Sequence, residues 1–154
     1  MSFKIRKATL NDVSRMMELI RELAAYERQP DAVTVSLQEF MDAGFGDSPV
    51  WEAFVGEIDD YIIGISLFYV RYSTWKGRRL YLEDLIVDEK MRGYGYGKQL
   101  LNRTIEYAQE RGYSGMMWQV LDWNQPAINF YEKYQATFDG EWINVSLNFD
   151  SHEL

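Results

Sequence analysis

The sequence predicts an α/β fold built on one mixed sheet. Three observations point there. Segments with a period of two residues alternate with segments of helical period. The middle of the chain reads as consecutive strands and the second half as β-α-β units, an order that mixes antiparallel and parallel pairing. No linker, repeat or low-complexity stretch interrupts the 154 residues, so residues 1–154 are expected to form a single domain.

The elements follow in order. Phe3, Ile5 and Lys7 alternate with Lys4, Arg6 and Ala8, a short strand. Thr9 with Asp12 fits a helix N-cap and an acid in the first turn. Val13, Met16, Met17, Ile20, Leu23 and Ala24 then recur at helical spacing, to about Glu27 and before Pro30. A weaker helix covers 37–43, and the glycine- and proline-containing stretch 44–49 is a loop. Strands are expected at 51–57 and 61–72, joined by an Asp59-Asp60 hairpin turn, and at 79–87 after a turn at 74–77. Leu100, Leu101, Thr104, Ile105 and Ala108 mark a helix closed by Gly112. A strand at 116–121, a helix at 124–134 with Pro126 in its first turn, and a closing strand at 141–149 complete the pattern.

Composition narrows the chemistry. Sixteen basic and 24 acidic residues give a net charge of −8. Such a chain is a poor nucleic-acid ligand, which needs clustered Lys and Arg, and a better host for a small cation. There is no cysteine, and His152 is the single histidine. Thiol nucleophiles and cysteine–zinc sites are excluded, no metal site is expected, and acid–base work falls to Asp, Glu, Tyr or Lys. No stretch reaches the length of a membrane span, and the first residues lack a signal-peptide core, so a cytoplasmic protein is expected.

Three segments carry candidate chemistry. Arg92-Gly93-Tyr94-Gly95-Tyr96-Gly97 follows a strand and opens a helix. Its backbone N–H groups and the helix start can cradle an anion. The spacing fits neither a P-loop nor a dinucleotide fingerprint, because Arg92 and Gln99 stand where a P-loop needs Gly and Ser or Thr. Glu83 and Asp84 interrupt an apolar strand. Neighbours on a strand point to opposite faces, so at least one carboxylate faces an interior or a cleft, and burial raises its proton affinity toward neutral pH. Alternation leaves open which one, since a bulge there would reverse the answer. Asn124 can cap the last helix, and Tyr131 lies two turns further on nearly the same face.

Together these segments resemble the GNAT superfamily of acyl-CoA-dependent N-acetyltransferases, whose acetyl-CoA motif is matched by Arg92, Gly95 and Gly97. The runs 44–49, 81–87 and 123–131 are similar to its spermidine/spermine and thialysine N-acetyltransferase branch. The resemblance implies a mixed, mostly antiparallel sheet with helices on both faces and a splayed parallel strand pair. It implies that Leu85, Ile86 and Val87 meet the pantetheine arm of acetyl-CoA, and that Arg92, Gly93, Gly95, Gly97 and Lys98 hold its pyrophosphate. Asn124 would contact the cofactor arm, and Tyr131 would sit near the thioester sulfur as acid. Glu83 is the candidate base. Tyr26, Glu27, Trp75, Glu83 and Asp84 would bind a cationic amine, either a polyamine or a lysine analogue such as thialysine. Arg28-Gln29-Pro30 stand where the polyamine enzymes carry further acids, and Gln125 where a glutamate is frequent. The branch also implies a homodimer, with Trp142, Ile143, Val145 and Leu147 as an apolar stripe. Transfer to a protein amine, or a non-catalytic acetyl-CoA-binding module, are the alternatives.

Overall fold

The computed structural model describes residues 2–149; His152 lies outside them. Two compact units are present, Met1–Gln119 and Val120–Leu154.

The first unit holds a five-stranded sheet in the order β1-β2-β3-β4-β5. The strands are β1 (Phe3–Lys7), β2 (Glu52–Ile58), β3 (Tyr61–Ser73), β4 (Gly77–Val87) and β5 (Met116–Met117). β1 to β4 pair antiparallel and β4 with β5 parallel. The β2–β3 turn is as expected: Asp59 and Asp60 both adopt positive φ, 51° and 64°, the twist that suits a two-residue hairpin.

One face carries α1 (Val13–Tyr26) and α2 (Leu37–Phe45). The helical period of α1 turns Val13, Met16 and Met17 onto Val55, Ile65, Leu67 and Ile86 of the sheet. The start of α1 is fixed by Asp12, whose carboxylate accepts hydrogen bonds from the Thr9 N–H at 2.7 Å and from Arg6 at 2.7 Å. On α2, Gly44 leaves room for the Trp51 ring, which stacks on Phe40 at 4.8 Å.

The opposite face carries α3 (Tyr96–Glu110). Ser66 and Thr104, both fully buried, share a 2.7 Å hydrogen bond between sheet and helix. Gly64 lets the helix come close, since a Cβ there would lie 2.9 Å from Leu100 Cδ1. Phe54, Phe68 and Tyr107 fill the rest of this layer as a three-ring cluster. Helices on both faces of a mixed sheet are therefore found as expected.

The second unit contains α4 (Gln125–Glu132), with Pro126 in its first turn. Two expectations fail. β5 stops at Met117 instead of reaching residue 121, and 141–149 forms no strand. Alternating apolar residues become a strand only where an edge receives their hydrogen bonds, and no described strand pairs with 141–149.

Candidate active site

β4 organises the site. It pairs with β5 only through Leu80↔Met116 and Tyr81↔Met117. From Leu82 to Val87 no described strand is paired to that edge, so the parallel pair opens there. This is the stretch that carries Glu83, Asp84, Leu85, Ile86 and Val87.

A bulge settles which carboxylate faces inward. Phe68 pairs with Leu82 and Leu67 with Asp84, leaving Glu83 as the extra residue. Asp84 opposes Leu67, and Ile86 opposes Ile65; both partners belong to the α1-side core. Tyr81 opposes Tyr69, two residues beyond Leu67 on the same face, and the two rings stack at 5.3 Å. Glu83 acts on Tyr69 through its charge and a hydrogen bond. Strict alternation would have sent one carboxylate to each side of the sheet. The bulge puts both on the α1 face.

The electrostatics follow from this crowding. Burial, then the charges of Glu83 and Glu27, push the Asp84 carboxyl up to about 7. Asp84 keeps some accessible surface but is surrounded by protein on nearly every side. Burial also raises Glu27 above the ordinary carboxylate range. Tyr69 and Tyr81 are raised first by burial and then by the charge of Glu83, while Arg71 acts in the opposite direction. Three carboxylates and two phenols thus act on one another on the α1 face, where the carboxylates make the local charge negative.

The glycine turn lies beyond the end of β4, after the 3₁₀ turn Glu89–Met91. Gly93 and Gly95 have φ of 88° and 82°, a region that side-chain-bearing residues avoid, and a Cβ at either would meet open space. Gly95 caps α3, whose first N–H groups, including those of Tyr96 and Gly97, have no acceptor within the helix. Lys98 sits in the same first turn. Arg92 donates through Nε to the Val87 carbonyl at 3.1 Å, and its guanidinium lies over the Tyr26 ring at 5.3 Å. Tyr96 stacks on Phe3 at 4.4 Å, and Phe3 in turn lies over Gly56, tying the turn to β1 and β2. Backbone donors at a helix start, with Arg92 and Lys98 on either side in sequence, are the kind of groups that can hold an anion.

The structure thus gathers Glu27, Glu83 and Asp84 into one cluster, with Tyr26 beside Arg92. Trp75 is placed elsewhere. It is 84% exposed at the β3–β4 turn, about 20 Å along the strands from Asp84. Asn124 and Tyr131 belong to the second unit. There Asn124 Oδ1 caps α4 by accepting from the Ala127 N–H at 3.3 Å, and Tyr131 follows on that helix. Tyr69, Tyr81 and Arg71 were not singled out by the sequence. The available signal was their two-residue spacing on strands that a hairpin brings face to face.

Comparison with known proteins decides the family. Residues 13–136 match the acetyltransferase (GNAT) family model. The chain belongs to the GNAT acetyltransferase family. The thialysine N-epsilon-acetyltransferase of Bos taurus is 38% identical over 140 residues, 86% of this chain and 82% of that protein. The spermidine/spermine N(1)-acetyltransferase-like protein 1 of Homo sapiens is 34% identical over 84% of this GNAT chain, though over only 20% of its own length. Among solved structures, an aminoglycoside acetyltransferase from an uncultured soil metagenomic sample, in complex with sisomicin, matches with a TM-score of 0.78 at 20% identity, over 96% of this chain and 97% of that one. That likeness is one of fold. Among the described residues no group of His, Cys, Asp or Glu could hold a metal ion, and no helix is long and apolar enough to cross a membrane.

Proposed function

We propose that this GNAT enzyme transfers the acetyl group of acetyl-CoA to the primary amine of a small cationic molecule, a thialysine-like amino acid or a polyamine. The observation that carries this reading is the cluster of Glu27, at the end of α1, with Glu83 and Asp84, on the strand that leads toward the glycine turn. Carboxylates attract an ammonium group, and the turn suits the phosphates of the acyl donor. The thialysine and spermidine/spermine-like relatives support the same substrate class.

Glu83 is the base in this proposal. An alkylamine is protonated at neutral pH because its pKa is near 10.4. Glu83 accepts that proton, directly or through a water. The freed nitrogen forms a C–N bond at the thioester carbonyl carbon while the C–S bond breaks. On the stretch Leu85–Val87, the backbone N–H groups turned away from β3 polarise the carbonyl oxygen. Tyr131 protonates the departing thiolate, a role assigned by family resemblance. Asn124 holds the cofactor arm on the same ground. Arg92, Gly93, Gly95, Gly97 and Lys98 hold the pyrophosphate. The working unit is a homodimer, and the cytoplasm is the expected compartment.

The test is release of free CoA thiol from acetyl-CoA with spermidine, spermine, putrescine, thialysine, lysine and an amine-free blank. Turnover with any of these amines above the blank supports the reading, and silence across the panel overturns it. Glu83→Gln is expected to lower kcat by about 100-fold or more, and Tyr131→Phe to lower it at saturating substrates. Unchanged kcat in either variant removes that residue from its role.

A further inference from the structure

We propose that Arg71 recognises the carboxylate of the substrate, so that this site selects a basic amino acid, acetylated on its side-chain amine, over a polyamine. The inference rests on the small-amine reading above and narrows it to one class.

The geometry is a ladder on the α1 face of the β3–β4 hairpin. Leu67 and Asp84 form one rung, with Glu83 bulged beside it. Tyr69 and Tyr81 form the next, and Arg71 and Arg79 the third. Rungs two residues apart along a strand are separated by roughly 7 Å. The two guanidinium groups on the third rung differ in what they do. Arg79 is turned toward β5, donating to Ser114 Oγ at 3.4 Å and to the Met116 carbonyl at 3.3 Å. Arg71 folds back over the Tyr81 ring, with Cζ 5.7 Å from the centroid. It is exposed and makes no ion pair with a described residue. Its charge reaches both tyrosines, opposing that of Glu83.

Arg71 starts two rungs from the carboxylates, and its guanidinium reaches back over the intervening Tyr81 ring. This gives the face two poles. The carboxylates hold the reacting ammonium, and the Arg71 fork, over the Tyr81 rung, can hold a carboxylate by paired charged hydrogen bonds. An extended lysine-like amino acid separates its side-chain nitrogen from its carboxylate by roughly 7 Å, about the spacing of one rung. A polyamine would bring a second ammonium to the same guanidinium and be repelled.

The experiment measures kcat/KM with acetyl-CoA for lysine, lysinamide and cadaverine, and for thialysine and spermidine. The full-length wild type is compared with Arg71→Gln and Arg71→Lys, and melting temperatures are taken in parallel. Wild type is expected to prefer lysine over lysinamide and cadaverine by about tenfold or more, the scale of a charged hydrogen-bonded pair. Arg71→Gln is expected to bring that ratio close to one and to raise spermidine relative to thialysine. Arg71→Lys is expected to keep part of the preference, because it keeps the charge but not the fork. A wild-type enzyme indifferent to the carboxylate, or a ratio unmoved by Arg71→Gln, overturns the role of Arg71 while the small-amine reading stands. No acetylation of any amine overturns both.

Discussion

Asp84 concentrates the chemistry of the site in one residue. Its folded pKa of about 7 lies far above the ordinary carboxylate value near 3.9. The folded chain therefore binds more protons than the unfolded chain between those values, and stability falls as pH rises from about 4 to about 7. Above pH 7 the full penalty of an ionised, crowded carboxylate is present. Asp84→Asn is expected to stabilise the protein at pH 8 by roughly 1–3 kcal/mol, allowing for water at the accessible edge of the group, and by little at pH 4.5. Thermal unfolding at the two pH values checks this, and an equal effect at both would place the cause outside ionisation. The same residue bears on binding. Ionised Asp84 attracts an ammonium more strongly, so amine KM is expected to fall as pH rises through 7 in the wild type and to flatten in Asp84→Asn.

At the scale of elements, the glycine turn separates conformational cost from ligand cost. Gly95→Ala forces a left-handed φ on a residue with a Cβ, at about 1–2 kcal/mol, but meets no protein atom within 4 Å. If the turn holds the acyl donor's phosphates, as proposed, the methyl group would intrude on them. Modest destabilisation with a several-fold rise in the KM for acetyl-CoA is expected; a normal KM in steady-state kinetics would remove the turn from that role. This turn was legible in the sequence because glycine spacing records backbone conformation directly. So were α1, α3 and the Asp59-Asp60 hairpin, where periodicity and turn residues agree. The bulge at Glu83 was not legible, since nothing in Leu82-Glu83-Asp84-Leu85 marks the extra residue; it appears only once β3 is laid beside β4. Arg71 and Tyr69 were hidden for the same reason, being recruited by register. The 141–149 segment misled because its alternation is real but its partner edge is absent from the described chain.

That absent edge bears on the whole molecule. Trp142, Ile143, Val145 and Leu147 are 74%, 85%, 90% and 83% exposed in the single chain. Side chains of this size left in water forgo roughly 1.5–3 kcal/mol each relative to burial. A run of exposed large apolar side chains marks an interface more often than a solvated tail. We propose that a second copy of the chain covers it, the alternating residues then pairing as a strand. The particle mass in solution is expected to be twice 18.2 kDa at micromolar concentration. Val145→Asp places a charge in the stripe and is expected to shift the protein toward the monomer with the first unit still folded, as read by light scattering alongside circular dichroism. A wild-type monomer at these concentrations overturns the dimer. It would leave the carboxylate cluster and the glycine turn untouched, because all of their residues belong to the first unit.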